Sequence, residues 1–368
     1  MKPRLSALAF AALLALPAHA GERYFGADLS FANEMDDCGA VYKDGGQRQD
    51  VYKIFKDHGA NLIRIRIWND AAWTDYSNLA DVKKSIRRAK AAGMQVLLDF
   101  HYSDDWADGQ KQIVPAAWAG IADENKLADA LYRYTYDTLT ALNADGLMPE
   151  MVQVGNEINR EILEQPDWPA DRPTDWRRNA LLIDAAIKAV RDAGAKSGTH
   201  PKVMIHIAQP ENVEPWFAAA AKAGVTDFDV IGISYYAKWS HDTIPELGAT
   251  VKRLTAAYPR AEVMVVETAY PWTLAWADNT NNQFGKDSLD PGFPPTPQGQ
   301  KDYLASVSQA VIGNGGAGVI YWAPDWVSTR CHTRWGKGSA WENATLFDFQ
   351  GNVLPGIDFM DRNYTPAQ

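Results

Sequence analysis

Met151-Val152-Gln153-Val154-Gly155-Asn156-Glu157 is the stretch that decides the fold class and holds the first candidate functional residues. Its apolar side chains suit a buried parallel strand, and the glycine ends that strand with an amide beside a carboxylate. A carboxylate at the tip of an apolar strand costs free energy unless it has a partner or a chemical task. Glu157 is therefore the first candidate for a catalytic residue.

A second glutamate, Glu267, ends a matching apolar run, Glu262-Val263-Met264-Val265-Val266. The two glutamates lie far apart in sequence, so only the fold can bring them together. Glycoside hydrolysis uses such a pair, because one carboxyl protonates the leaving oxygen while the second attacks the sugar from the opposite face. The alternative is a pair of glutamates that simply end strands and meet solvent or a lysine.

Eight short apolar segments recur along the chain, with amphipathic stretches between most of them. The segments are Tyr24–Ala32, Leu62–Trp68, Gln95–Ser103, Met151–Asn159, Lys202–Ala208, Asp229–Tyr236, Glu262–Tyr270 and Gly318–Trp326. The predicted helices are Asp50–His58, Leu79–Ala92, Asn125–Asn143, Asp175–Ala193, Glu214–Ala223, Pro245–Tyr258 and Gln298–Ile312. Alternating strands and helices predict a parallel sheet, and eight repeats favour an α/β fold closed into a single (β/α)8 TIM barrel. Asp28-Leu29-Ser30-Phe31 stands where a dinucleotide-binding fold would place its glycines, which counts against a Rossmann sheet.

The first twenty residues have the pattern of a signal peptide. Met1-Lys2-Pro3-Arg4 is basic, Leu5–Leu16 is apolar, and Pro17-Ala18-His19-Ala20 ends in the small residues that signal peptidase accepts. We expect cleavage near Ala20 and an exported protein, extracellular or periplasmic, whose residues 21–368 form one catalytic domain. The formal net charge of −10, without basic clusters, disfavours nucleic acid or an anionic membrane as partner.

The chain has two cysteines, Cys38 and Cys331. In an oxidising compartment, two cysteines of one exported chain are expected to pair. The alternative is two separate buried thiols. Zinc is disfavoured because neither cysteine has a second cysteine or a spaced histidine pair nearby.

Polar and aromatic residues cluster where the predicted strands end. Arg64 and Arg66 point to the same side of strand two and need anionic partners, which a glutamate at the top of the barrel or another acid would supply. His101 has no second histidine at metal spacing, so a hydrogen-bonding role is favoured. Four tryptophans could stack on sugar faces or could serve as plain packing: Trp106, Trp272, Trp322 and Trp326.

These motifs resemble those of the endo-β-1,4-galactanases, glycoside hydrolase family 53, over the whole mature chain. The resemblance is carried by Tyr24-Phe25-Gly26-Ala27-Asp28, Asp99-Phe100-His101-Tyr102-Ser103-Asp104, Val154-Gly155-Asn156-Glu157-Ile158, Val266-Glu267-Thr268 and Tyr321-Trp322-Ala323-Pro324. Asn-Glu on strand four with Glu on strand seven is shared by a whole clan of retaining barrel glycosidases. The run Asp99–Asp104 followed by Trp106-Ala107-Asp108 is more specific to galactanases.

The resemblance implies a (β/α)8 enzyme that cleaves β-1,4-galactan, the backbone of type I arabinogalactan in pectin, with retention of configuration. Glu157 would be the acid/base and Glu267 the nucleophile, while Asn156 would hold the 2-hydroxyl of the sugar. The other residues expected at the substrate site are Arg64 and Tyr236 beside the nucleophile, with Asp99, His101, Trp106 and Trp322. We expect no cofactor for the chemistry, galactan as the partner and a monomeric protein. A nucleophile beside arginine should have a lowered pKa, and its charge should raise the pKa of the acid.

Many bacterial members of that family carry calcium between the loops after strands seven and eight. The corresponding stretch here, Trp276–Asn282, has oxygen donors but few carboxylates, so the candidate calcium ligands are Asp278 and Asn282. Fungal members have a disulfide there instead. Cys38 would lie in the first loop and Cys331 in the eighth, and strands one and eight are neighbours in a closed barrel, so a bridge is geometrically reasonable.

Two other functions remain open from the sequence. A related barrel hydrolase could act on another β-linked polysaccharide, such as mannan or glucan, because the two glutamates do not recognise the C4 hydroxyl. A non-catalytic carbohydrate-binding barrel is the other alternative. Such a protein would be expected to have lost a glutamate or Asn156, and all three are present.

Overall fold

Eight parallel strands close into a barrel in which each strand pairs with the next and the eighth pairs with the first. In this computed structural model, residues 22–169, 171–334 and 336–365 are described. The strands are β1 (Tyr24–Asp28), β2 (Leu62–Ile67), β3 (Gln95–Phe100), β4 (Met151–Val154), β5 (Lys202–Ala208), β6 (Val230–Ser234), β7 (Glu262–Glu267) and β8 (Gly318–Trp322). The predicted (β/α)8 barrel is confirmed. The expected signal peptide, residues 1–20, lies outside the described residues.

The helices surround the barrel and alternate with the strands. They are α1 (Ala32–Asp37), α2 (Val51–Asp57), α3 (Leu79–Ala91), α4 (Glu124–Ala144), α5 (Trp176–Ser197), α6 (Pro210–Lys222), α7 (Ile244–Ala257) and α8 (Pro297–Gly313). Several begin at a side chain that caps the first turn, such as Asp50, Asn78 and Asp175, each of which accepts two backbone N–H bonds. Within the described ranges, no helix is long and apolar enough to cross a bilayer.

Two helices differ from the sequence-based expectation. Helix α6 begins at Pro210, earlier than the predicted Glu214, because proline fits the first helical position, where no N–H partner is needed. The chain then continues through Pro215 inside the helix. Helix α1 has no predicted counterpart, since its six residues are too few to show a helical period.

The barrel interior is apolar at one end and polar at the other. An apolar layer fills the end where the strands begin, and it consists of Tyr24, Leu62, Leu97, Met151, Met204, Val230, Met264, Val266 and Ile320. Two residues further along their strands, on the same inward face, stand Arg64, Asp99 and Gln153, each 0% exposed. The alternation of the strands therefore delivers polar side chains to the C-terminal end of the barrel, where the sites of such folds lie.

A disulfide joins Cys38 in the loop after β1 to Cys331 in the loop after β8, with 5.5 Å between the Cα atoms. The expected bridge is confirmed, and the alternative of two buried thiols is wrong. The cysteines are separated by 293 residues, so the bond closes nearly the whole chain into one loop. A cross-link of that length removes much conformational entropy from the unfolded chain.

The first prediction concerns this bridge. Replacing both cysteines, Cys38→Ser with Cys331→Ser, should lower the free energy of unfolding by about 2–5 kcal/mol, because the unfolded chain regains its freedom. Urea unfolding followed by tryptophan fluorescence measures the change, and the unsubstituted protein with dithiothreitol is the control. Equal unfolding midpoints for the oxidised protein and the double variant would show that the bridge does not constrain the unfolded state.

Candidate active site

An open cleft of about 1840 Å³ lies at the C-terminal ends of the strands. The loops that follow the strands form its walls, as expected for a barrel of this class. Both candidate glutamates line it, together with five other residues predicted from the sequence: Asn156, His101, Trp106, Tyr236 and Trp322. The fold thus brings to one place side chains that are widely separated in sequence.

Arg64 lies directly beneath this cleft, is 0% exposed and uses every N–H of its guanidinium. Nε donates to Gln153 Oε1 at 3.1 Å. Nη1 donates to Asp28 Oδ2 at 2.8 Å and to Glu267 Oε1 at 2.7 Å. Nη2 donates to Asp99 Oδ2 at 2.8 Å and to Asn156 Oδ1 at 2.7 Å. Since guanidinium has five N–H donors in a rigid fork, this one side chain fixes five acceptors at once.

Glu267 reaches Arg64 because β7 is irregular at its end. Val266 belongs to the inward apolar layer, so in a regular strand the next residue would point outward. The pairing of β6 and β7 shifts by one residue here, so that Ser234 lies opposite Glu267. This bulge re-aims the glutamate into the barrel, where Tyr236 Oη donates to its Oε2 at 3.0 Å.

Glu157 stands in a strained backbone conformation just after β4. Its φ is +47°, and the preceding Gly155 has φ +87°, both in the left-handed region. A glutamate in that region costs about 1 kcal/mol or more, which persists only where the surroundings hold it. Gln112 helps to hold this turn, because its Nε2 donates to the carbonyls of Asn156 and Glu157 at 2.8 and 3.2 Å.

The Glu157 carboxylate accepts two hydrogen bonds from neutral donors. Ser234 Oγ lies 2.5 Å from Oε1, and the Gly109 N–H lies 3.3 Å from Oε2. Burial raises the pKa of Glu157, and the charge of Asp108 adds to the rise. The side chain is partly exposed to the cleft, so the proton that it binds can reach a ligand there.

Burial also raises the pKa of Glu267, and Arg64 opposes that rise without cancelling it. The lowered pKa expected for a glutamate beside arginine is therefore wrong. Burial is the largest cause of the raised pKa, and the charges of Asp28 and Asp99, which share Arg64 with Glu267, add to it. Repulsion from Glu157 also raises the pKa of Glu267.

The other predicted site residues divide between the cleft and the layer beneath it. Asp99 is 0% exposed and accepts from Arg64 and from His101 Nε2, the latter at 3.0 Å, so it supports the cleft from below. His101 lines the cleft and is held by this carboxylate, and burial lowers its pKa. Burial likewise lowers the pKa of Arg66, whose Cζ atom lies 4.2 Å from the ring centroid of Trp106.

The four tryptophans that were open to two interpretations differ in their contacts. Trp106 and Trp322 lie in the cleft with ring centroids 5.9 Å apart. Trp326 also lines the cleft, but it is only 3% exposed, and its ring stacks on that of Phe31 with 4.2 Å between the centroids. The ring of Trp272 packs against that of Phe349, with 4.7 Å between the ring centroids. Trp272 does not line the cleft, so it is a packing residue.

The candidate calcium ligands lie between the loops after β7 and β8. The Asp278 carboxylate accepts from the N–H groups of Thr280 and Ser339 at 2.7 and 2.8 Å and from Ser328 Oγ at 2.6 Å. It therefore joins the two loops through hydrogen bonds. In the part of the chain that the structure describes, no three His, Cys, Asp or Glu side chains are grouped to hold a metal ion. Calcium binding by Asp278 and Asn282 stays a prediction.

Several residues of the site were not identified from the sequence as members of it. Among them are Asp28 and Gln153, which bind Arg64, and Ser234 and His206, which lie behind Glu157. Asp28 and Ser234 end β1 and β6, so their position at strand ends was a usable signal. Gln153 and His206 lie within apolar strands, where a lone polar side chain gives no indication of its partner.

The central position of Arg64 gives a second prediction. Arg64→Lys keeps the charge but offers three donors to five acceptors, so the free energy of unfolding should fall by about 3 kcal/mol. The matched control is Arg177→Lys, whose side chain is 68% exposed in an ion pair with Glu124. In urea, Arg177→Lys should unfold at the same midpoint as the unsubstituted protein. Equal midpoints for both variants would contradict the role given to the five hydrogen bonds.

Comparison with known proteins agrees with this geometry. Residues 24–360 match the model of glycosyl hydrolase family 53. An arabinogalactan endo-beta-1,4-galactanase from Cellvibrio japonicus is 50% identical, over 99% of this chain and 98% of that relative. An endo-beta-1,4-galactanase from Bacillus subtilis is 33% identical, over 90% of this chain and 84% of that protein. The catalytic domain of a family 53 protein from Ignisphaera aggregans superposes with a TM-score of 0.84 at 33% identity, covering 97% of this chain and 100% of that domain. This chain therefore belongs to glycosyl hydrolase family 53.

Proposed function

We propose that this protein is an endo-acting β-1,4-galactanase that cleaves galactan by a double displacement with retention of configuration. The observation that carries the proposal is the contact of one buried guanidinium with both Asn156 and Glu267, at 2.7 Å each. That contact fixes the ends of β4 and β7 relative to each other, and Glu157 directly follows Asn156. The family and the names of its galactanase relatives support the substrate.

We infer different roles for the two glutamates from their unequal surroundings. A pair of buried, mutually repelling carboxyls retains a proton more readily than either would in water. Glu267 receives a charged donor, Arg64, whereas Glu157 receives a hydroxyl and an amide. Since a charged donor stabilises a carboxylate more than a neutral one, we infer that the charge lies on Glu267 and the shared proton on Glu157.

In the first step, the Glu267 carboxylate attacks the anomeric carbon while Glu157 gives its proton to the departing oxygen. In the second step, Glu157 takes a proton from water, and that water displaces Glu267 from the sugar. Asn156 would hold the 2-hydroxyl, and His101, Trp106, Tyr236 and Trp322 would contact the sugars. A retaining pair requires about 5–5.5 Å between the carboxyl groups.

The setting in which the enzyme would work follows from the rest of the chain. We propose export with cleavage near Ala20, in line with the disulfide between Cys38 and Cys331. The partner would be the galactan chain of pectin, bound by a monomer, and no cofactor would enter the chemistry. Calcium would at most support the loops that hold Asp278.

Replacement of each glutamate separates the two roles. Glu267→Ala should abolish activity on every substrate, because no glycosyl-enzyme can form. Glu157→Ala should lose far more activity on galactan, whose leaving alkoxide needs a proton, than in the glycosylation step on an activated aryl galactoside. Azide needs no general base, so it should rescue Glu157→Ala and yield a galactosyl azide of retained configuration.

The measurements are burst and steady-state release of the phenolate, with product configuration determined by NMR. The matched control is Glu262→Ala at the opposite end of β7, where the side chain pairs with Lys202 and is remote from the cleft. Equal losses for Glu157→Ala on both substrates without rescue by azide would mean that the roles are assigned wrongly.

A panel of polysaccharides tests the substrate. Reducing-sugar release from galactan, mannan, xylan and cellulose should be confined to galactan, with a rapid fall in viscosity that marks internal cleavage. Hydrolysis of mannan or cellulose, with no hydrolysis of galactan, would identify a related barrel hydrolase. Binding of galactan without hydrolysis of any polymer would favour the non-catalytic alternative.

A further inference from the structure

Trp276, in the loop after β7, presents a large apolar surface to the cleft, and the mechanism given above does not use it. Among the described residues, the exposed large apolar side chains are Trp73, Trp239 and Trp276, and Trp276 is the most exposed of them, at 50%. Trp239 and Trp276 both line the cleft. An indole ring in water costs free energy that a ligand with an apolar face would recover.

The other two exposed rings already contact charged or aromatic groups of the protein. The Cζ atom of Arg334 lies 4.1 Å from the ring centroid of Trp73, which is outside the cleft lining. The ring of Trp239 packs edge to face on that of Tyr236, with 5.0 Å between the centroids. Among the residues that the structure describes, no aromatic ring or cation packs on the ring of Trp276. Half of this side chain is therefore left for a ligand in the cleft.

The loop that carries Trp276 is held from below by a buried carboxylate. Glu342 is 1% exposed, and its Oε1 accepts the N–H of Ala277, the residue after Trp276, at 2.7 Å. The carboxylate of Asp278, one residue further on, joins the same loop to the loop after β8. The backbone beside Trp276 is thus fixed before a ligand arrives, so binding at the ring does not require a free loop to be ordered.

Trp276 is separate from the aromatic residues that would surround the reacting sugar. The ring of Trp341 lies between those of Tyr236 and Trp322, with centroid distances of 6.2 and 4.6 Å. Tyr236 donates to Glu267, so this group lies beside the bond that would be cleaved. All four aromatic residues line the cleft, but within the described ranges Trp276 has no ring contact with the other three. A sugar on Trp276 would therefore occupy a different position along the cleft.

The cleft has room for a sugar at Trp276 in addition to those at the cleaved bond. Its volume of about 1840 Å³ exceeds the roughly 300–1,000 Å³ of pockets that enclose one small molecule. A β-galactosyl unit has one face formed by the C–H groups at C3, C4 and C5, and such a face packs well on an aromatic ring. Asn279 and Asn281 in the same loop also line the cleft, and their amides can bond to hydroxyls at the edge of that sugar.

We propose that Trp276 is a specificity-determining residue that stacks on a galactosyl unit beyond the two that flank the cleaved bond. Substrates that occupy only the positions beside Glu157 and Glu267 do not reach the ring, whereas longer chains do. The enzyme therefore prefers long galactan chains to short oligosaccharides, because a remote sugar adds its binding to that at the reacting centre. The proposal rests on the proposed function in taking galactan as the substrate.

Removal of the ring should weaken binding of the polymer without changing the chemical step. Trp276→Ala should raise KM for galactan by about three- to tenfold and leave kcat nearly unchanged, because stacking at a remote position stabilises bound substrate and transition state equally. On an aryl galactoside, which is too short to reach the ring, kcat/KM should stay the same. Trp276→Phe keeps a smaller ring and should give an intermediate KM. The control is Trp176→Ala at the start of α5, a partly exposed tryptophan outside the cleft, which should keep the KM of the unsubstituted protein.

A series of β-1,4-galacto-oligosaccharides of increasing length locates the position of the sugar on Trp276. The ratio of kcat/KM between the unsubstituted protein and Trp276→Ala should be about one for the shortest substrates and should rise to a plateau at the length that first reaches the ring. Calorimetric binding of the same series to Glu267→Gln should show a matching increase in affinity with length. The double variant with Trp276→Ala should lose that increase.

An unchanged KM for galactan in Trp276→Ala, with no dependence on chain length in the series, would overturn the proposal. So would equal losses of kcat/KM on galactan and on the aryl galactoside, since the ring would then act at the reacting sugar or through the fold. Absence of galactan hydrolysis in the unsubstituted protein would refute the proposed function itself. Calorimetry on Glu267→Gln needs no turnover, so it would still decide whether Trp276 binds a remote sugar, and the two failures are distinguishable.

Discussion

The guanidinium of Arg64 is the constraint on which the rest of the site depends. It is buried, and its five N–H groups bind residues at the ends of β1, β3, β4 and β7. A buried cation is tolerated only where its donors are satisfied, and buried carboxylates need such a cation in turn. Neither the charges nor the strand ends can therefore move independently, and the two glutamates inherit their positions from this network.

The barrel separates the stabilising part of the structure from the reactive part. The apolar layer inside the strands holds the closed sheet, and the polar layer two residues further on supports the cleft. Backbone strain is found at the same end of the barrel. Four non-glycine residues that follow different strands have a positive φ there: Tyr102, Glu157, Gln209 and Ala323. These residues adopt an unfavourable backbone conformation at the end of the barrel where the site residues lie. The packing of the barrel beneath them offsets the free energy that this conformation costs.

The fold and the main site residues could be predicted because their signals are local. Alternating apolar segments and helices predict the barrel, and Asn156, Glu157 and Glu267 stand at strand ends. The bulge that turns Glu267 inward could not be predicted, since it depends on the pairing of β6 with β7.

The sharing of Arg64 was hidden for a similar reason. Asp28 and Asp99 reach the guanidinium from two other strands, and only the closed sheet shows that one cation serves three carboxylates. The pKa expected for Glu267 was wrong because burial raises it most and because Arg64 is shared with two other carboxylates. The roles of Gln153 and His206 depend equally on which inward side chains meet across the barrel.

The central claim is that this network places the negative charge on Glu267 and the proton on Glu157. Neutron diffraction from crystals exchanged into deuterated buffer, at a pH where galactan is hydrolysed, would locate that proton directly. The account predicts deuterium on a carboxyl oxygen of Glu157 and none on Glu267, with Arg64 fully protonated between its acceptors. Deuterium on Glu267 with an ionised Glu157 would contradict it.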